Sequence, residues 1–72
     1  ARRGKELLVE LSEEDAAIIE ALRRRGGVAL QSELQRELGL PTTTLWRRVK
    51  RLEKLGYVRV EKRAGRNFIR LV

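Results

Sequence analysis

The feature that most limits the fold of this chain is a pair of short helical segments separated only by residues 39–41, Gly-Leu-Pro. Gly is common just after the end of a helix, and Pro is favoured where the next helix begins. One helix must therefore end and another begin within three residues, which places the two helices against each other. A chain of 72 residues has room for such a pair inside one small domain and no room for a second domain.

A first helix is predicted to follow Ser12, whose hydroxyl can cap free backbone N–H groups. The acidic residues 13–15 lie where the helix dipole favours negative charge, and we expect them on the surface. Gly26-Gly27 ends this helix. Its apolar stripe is predicted at helical spacing, at Ala16, Ile19 and Leu22, with Ile18 alongside.

Two more helices are predicted around the Gly-Leu-Pro turn. The second helix spans Gln31–Leu38, and the third and longest spans Thr42–Leu55. Their apolar residues recur at helical spacing and predict one buried face on each. These residues are Leu34 and Leu38 in the second helix, and Leu45, Val49, Leu52 and Leu55 in the third.

The segment after Gly56 predicts a β-hairpin. Apolar and polar residues alternate in 57–62, and residues 67–72 are strand-like, with Ile69 and Leu71 expected to face inward. A Gly-containing turn at 63–66 joins the two segments. Val28–Leu30 reads as a minimal strand, and residues 1–11 as a basic arm followed by a short extended segment. The sequence therefore predicts an α+β domain over residues 12–72, with three helices and a C-terminal hairpin.

Charge is divided unevenly along the chain. The net charge is +7, yet residues 1–41 carry −1 and residues 42–72 carry +8. The C-terminal half is therefore expected to face an anionic partner, with nucleic acid first, then a membrane surface, then an acidic protein.

The composition excludes most catalytic chemistry. The chain has no Cys, His or Met, so it has no thiol nucleophile, imidazole base or zinc-finger ligands. Ser12 has no His to activate it, and the carboxylates at 13–15 imply no concave site. We expect no enzyme activity, cofactor, metal or small-molecule ligand. No membrane-spanning run or signal peptide is present, and we expect a cytoplasmic protein.

Several stretches resemble the winged helix-turn-helix of MarR-type and related archaeal transcription regulators over residues 12–72. They are LQSEL at 30–34, LGLPTTTL at 38–45 and RVKRLEKLGYV at 48–58. The resemblance implies that the third helix enters the DNA major groove and that the hairpin acts as a wing. It also implies dimerisation through helices outside this motif. The groove-facing positions that it implies are Thr42, Thr43, Trp46, Arg47 and Lys50.

The third helix independently predicts a DNA-reading surface. At 100° per residue, Thr43, Arg47, Lys50 and Lys54 lie opposite the apolar face, with Trp46 and Arg51 at the border. Arg47 suits bidentate contact with guanine, and Thr42 and Thr43 suit a thymine methyl or a phosphate. Trp46 is expected either to pack at the edge of the core or to meet a base. Lys50 suits the DNA backbone.

Two further groups of residues extend the predicted interface. Arg63 and Arg66 flank the hairpin turn and suit a minor groove or phosphates, unless the turn is only solvated. Gln31 and Ser32 open the second helix and are expected either to hold a phosphate or to cap the helix. Resembling proteins usually have Thr or Ser where Leu30 stands, and a small or polar residue where Trp46 stands.

Other interpretations stay open at the level of sequence. A winged helix that binds an acidic protein would satisfy the same charge. Arg2, Arg3 and Lys5 would suit a tether at a membrane surface. The chain begins with Ala, which suggests a piece of a longer protein, and abundant Arg and Glu suggest a thermophile. Homodimers are expected through the intact protein or through pairing of residues 6–11, unless the domain binds alone.

Overall fold

The computed structural model describes residues 11–72. This part of the chain forms three helices and three strands in the predicted order, which confirms the winged-helix α+β fold. The basic arm and most of the predicted extended segment lie outside the described residues, so the division of the chain at residue 11 stays a prediction. The elements are α1 (Glu13–Arg24), β1 (Val28–Leu30), α2 (Gln31–Leu38), α3 (Thr42–Lys54), β2 (Val58–Arg63) and β3 (Arg66–Leu71).

Helix α1 begins at a reciprocal cap. The Ser12 hydroxyl accepts from the Asp15 backbone N–H at 3.1 Å, and Asp15 Oδ2 accepts from the Ser12 N–H at 3.2 Å. The prediction that residues 13–15 all lie on the surface is wrong for Asp15, which is completely buried. The predicted stripe is also shifted, since Ala16 is exposed and Ile19 only half-buried. The buried face of α1 is Asp15, Ile18, Ala21 and Leu22.

The turn between α2 and α3 is built as the sequence predicts. Gly39 adopts the left-handed conformation at φ 67°, and its N–H donates to the Gln35 carbonyl at 2.9 Å. Pro41 immediately precedes the first residue of α3. Helix α3 ends at Lys54, one residue before the predicted end, because Leu55 serves as its C-cap.

The three strands form one antiparallel sheet in the order β1-β3-β2. Strand β1 ends at Leu30, opposite Phe68, whereas β2 and β3 stay paired as far as Arg63 and Arg66. Hairpin residues 62–67 therefore extend beyond the end of β1, and we call these residues the wing. The core between the sheet and the helices consists of Ile18, Ala21, Leu22, Ala29, Leu34, Leu45, Val49, Leu52, Val58 and Ile69.

The tip of the wing is a two-residue turn with an unfavourable residue. Ala64 and Gly65 have φ values of 51° and 76°, and a turn with two positive φ values favours Asn-Gly. An Ala residue in this left-handed backbone conformation costs about 1 kcal/mol. We expect Ala64→Asn to raise the free energy of unfolding by about 0.5–1 kcal/mol and Gly65→Ala to lower it, both measured by urea denaturation. No gain from Ala64→Asn would contradict this strain.

Candidate nucleic-acid interface

Helix α3 separates its apolar and basic residues onto opposite sides. Leu45, Val49 and Leu52 are fully buried against the sheet and the other helices. The side that remains accessible is basic and polar, because the same 100° rotation that buries every third or fourth residue turns the intervening ones outward. The exposed predicted contact residues are Thr42, Thr43, Arg47, Lys50 and Arg51.

Adjacent arginines on α3 have different surroundings. Arg47 is exposed and makes no ion pair within residues 11–72. Arg48 points toward α1, where Nη2 lies 2.8 Å from a Glu14 oxygen and Nη1 donates to the Ser12 hydroxyl at 3.3 Å. Nη1 also lies 3.9 Å from Asp15 Oδ1. Arg47 is therefore available to a ligand, whereas Arg48 joins α3 to the start of α1.

Trp46 and Lys50 form a group at the border of the basic surface. Trp46 is half-buried, and the Lys50 ammonium lies 5.8 Å from the centre of its ring. Lys50 also lies 3.2 Å from Glu53, whose other oxygen accepts from the Val60 N–H at 3.3 Å. The hydrogen bond from Lys50, followed by that from Val60, lowers the pKa of Glu53. The charge of Lys50 is thus partly balanced, unlike that of Arg47.

Cations near the end of α1 are paired with acids. Arg25 lies 2.9 Å from Glu37, Arg24 pairs with the same carboxylate, and Arg23 lies 3.9 Å from Glu20. The bonds from Arg24 and Arg25 lower the pKa of Glu37. On α2, α3 and the wing, by contrast, several cations make no ion pair within residues 11–72. These are Arg36, Arg47, Lys54, Lys62, Arg63 and Arg66.

An open cleft of about 650 Å³ separates the wing from the starts of α2 and α3. The cleft brings together residues predicted separately, namely Gln31, Ser32, Thr42 and Arg66. Sequence reasoning missed Gln35, Arg36 and Asn67, which also line it. The i, i+4 spacing of Gln31 and Gln35 was the available signal for one of them, since it puts both amides on one face of α2.

Amide side chains in this cleft hydrogen-bond across elements. Asn67 Nδ2 donates to Gln31 Oε1 at 3.1 Å, and Gln35 Nε2 donates to Thr42 Oγ1 at 2.7 Å. The N-cap of α2 is Leu30, which has no side-chain acceptor, and its N–H donates to Glu33 at 2.9 Å. Helix capping, the alternative expected for Gln31 and Ser32, is therefore not what the structure shows, because both residues lie inside α2.

Two other kinds of site are missing from residues 11–72. None of the helices there has the length and apolar character needed to cross a membrane. That same part of the chain has no group of acidic side chains suited to hold a metal ion. The basic surface around the cleft is thus the main candidate site of the described chain.

Comparison with known families and sequences places this geometry among winged helices. A family model described as "Winged helix-turn-helix DNA-binding" matches residues 11–59. An uncharacterized protein from Pyrococcus horikoshii is 38% identical over 69 residues, covering 96% of this chain. The chain spans only 20% of that relative's length.

Several solved structures share the fold. Reduced AbfR bound to DNA matches with a TM-score of 0.83 and 22% identity, over 99% of this chain and 50% of AbfR. The transcriptional regulator PcaV from Streptomyces coelicolor, in complex with its natural ligand, matches at 0.80 and 24%, over 88% of this chain and 46% of PcaV. The antimony-specific repressor AntR matches at 0.76 and 18%, over 96% and 65%. The chain thus spans about half the length of AbfR and PcaV.

Proposed function

Because this chain belongs to the winged helix-turn-helix DNA-binding family, we propose that it is the DNA-binding domain of an archaeal transcription regulator acting in the cytoplasm. Helix α3 enters the major groove, and wing residues 63–66 contact the neighbouring backbone or minor groove. The observation that carries this proposal is the separation of cations. The cations near the end of α1 are paired with carboxylates. Several cations around the cleft and on the outer side of α3, such as Arg36, Arg66 and Arg47, make no ion pair within residues 11–72.

Within this interface, Arg47 is the base-reading residue. Its guanidinium has no acidic partner within the described residues and a planar fork that matches the acceptors of guanine. Lys50 and Arg51 contact the backbone beside it, and Thr43 faces the groove. Trp46 lies at the edge of the groove, because part of its surface is covered by the domain itself.

The hydrogen bonds in the cleft leave donors for DNA phosphates. Thr42 uses its oxygen as an acceptor for Gln35, so its hydroxyl proton stays available. Gln31 likewise uses its oxygen for Asn67 and keeps its NH₂ group. Since a phosphate only accepts hydrogen bonds, these donors, Ser32 and the guanidinium of Arg36 suit one backbone strand.

Two copies of the domain read the operator in the intact protein. A single short interface gives weak binding, and symmetric half-sites one helical turn apart double the contacts. The described residues supply the DNA surface, and pairing is assigned to segments outside them. No small-molecule ligand is expected in this domain.

The experiment that tests the function is fluorescence anisotropy of labelled random-sequence duplex DNA at several salt concentrations. If about six phosphates are neutralised, log K falls against log salt with a slope near −5. The control is competition by polyglutamate, which offers negative charge without a DNA backbone. If the folded domain does not bind DNA at low salt, or binds polyglutamate more tightly, the result would instead indicate an acidic protein partner.

A further inference from the structure

A side-chain hydrogen bond joins the wing to the helix-turn-helix where backbone pairing stops. The last pair between β1 and β3 is Leu30 with Phe68. One step nearer the tip, Asn67 donates to Gln31, the first residue of α2, at 3.1 Å. Strand β1 ends at Leu30 and α2 begins at the next residue. The side-chain bond thus holds the wing to the domain one residue beyond the last backbone pair.

A second amide on the same face of α2 reaches α3. Gln35 lies four residues after Gln31, so both side chains share one side of α2. Gln35 donates to the hydroxyl of Thr42, the first residue of α3, at 2.7 Å. Helix α2 therefore holds the wing through one amide and α3 through another. We call the Asn67–Gln31 and Gln35–Thr42 bonds the amide bridges.

On the basis of the proposed function, we infer that the amide bridges are positioning contacts that set the placement of the wing relative to α3. Arg66 and Thr42 border the same cleft, on its wing side and its α3 side. In DNA, a sugar-phosphate backbone separates the major groove from the minor groove. Contact of α3 with one groove and of the wing with the other therefore requires a fixed distance between α3 and the wing. A wing ordered before binding avoids the cost of ordering it during binding.

The Asn67–Gln31 bridge is the one that specifically affects the wing. Asn67 comes directly after Arg66, so release of its side chain frees the segment that carries this cation. The backbone pairing of Asn67 with Lys62 across the hairpin is independent of the side chain. Loss of the amide is therefore expected to leave the hairpin formed while releasing the wing from α2.

A double-mutant cycle on the full 72-residue chain tests this inference with random-sequence duplex DNA. The variants are Asn67→Ala, Gln31→Ala, Arg66→Ala, and Asn67→Ala combined with each of the other two. Asn67→Ala is expected to weaken binding roughly fivefold and to reduce the steepness of the salt dependence by about 1, equivalent to one lost phosphate contact. In the Gln31→Ala and Arg66→Ala backgrounds, Asn67→Ala is expected to add no further loss.

An exchange variant supplies the rescue. Gln31→Asn with Asn67→Gln keeps an amide pair of the same combined length and is expected to regain most of the affinity that either single exchange loses. Circular dichroism melts accompany each variant, since unfolding would also weaken binding. Unchanged melting midpoints with reduced affinity support a positioning role.

Other outcomes overturn the inference. An equal loss from Asn67→Ala with and without Gln31 would show that Asn67 contacts DNA directly. An unchanged affinity and salt slope would show that the bridge does not hold the wing for binding. Failure of the unmodified chain to bind DNA would overturn the proposed function and, with it, this inference. Binding by the unmodified chain with no effect of Asn67→Ala would overturn this inference alone.

Discussion

On a site selected from random DNA, Arg47→Ala is expected to weaken binding roughly fivefold to 150-fold, or about 1–3 kcal/mol. Arg47 is exposed on α3 and makes no ion pair within residues 11–72, so its guanidinium is free to meet a base edge. Lys50→Ala is expected to cost less, because Lys50 already lies 3.2 Å from Glu53. Anisotropy titrations on the selected duplex measure both losses.

Two variants separate base reading by Arg47 from simple charge. Arg47→Lys keeps the positive charge but lacks the bidentate fork, so it should retain the salt slope and lose preference at one base pair. Arg23→Ala removes the same charge from α1, where Arg23 pairs with Glu20, and should leave affinity within about twofold. Equal losses from Arg47→Ala and Arg23→Ala, or no preferred sequence in the selection, would contradict base reading by Arg47.

Arg48→Met is expected to destabilise the fold by about 2–3 kcal/mol, although Arg48 is the direct neighbour of Arg47. Asp15 is completely buried, and its Oδ1 has no hydrogen-bond partner within the described chain. Arg48 is the cation that faces this oxygen, at 3.9 Å. Since a domain of this size has a total stability of about 4–11 kcal/mol, urea denaturation will show the loss clearly.

The matched control for Arg48 is Arg47→Met, which should change stability by less than about 0.5 kcal/mol because Arg47 is exposed. Combining Asp15→Asn with Arg48→Met removes both charges and keeps an oxygen for the Ser12 N–H. The double variant should therefore lose less than the sum of the single variants. Equal stability losses from Arg47→Met and Arg48→Met would contradict the structural role of Arg48.

Local chemistry explains which parts of the fold could be predicted from sequence. Gly39 ends α2 and Pro41 precedes α3, as their backbone preferences predict. Ser12 forms its cap with the residue three positions later. The alternation in 57–62 and the Gly-containing turn at 63–66 predict the hairpin, and the apolar spacing in α3 predicts its buried face. Each of these signals acts within a few residues of its cause.

The missed features depend on contacts between distant residues. Asp15 reads as one more surface acid at a helix start, and only the packing of α1 against Arg48 of α3 shows that it is buried. The bond between Asn67 and Gln31 joins residues 36 positions apart. Arg36 looks like a solvated cation until the cleft places it beside the wing. Such pairs follow from tertiary packing, which no local pattern encodes.

The measurement that most directly tests DNA binding through α3 and the wing is an NMR titration of the isotope-labelled chain with duplex DNA at low salt. The largest amide shift changes are expected in residues 42–51 and 62–67, with smaller changes at the start of α2. The exposed side of α1, including Ala17 and Glu20, should stay unchanged. Largest changes on α1, or no changes at all with a folded spectrum, would contradict this assignment of the DNA surface.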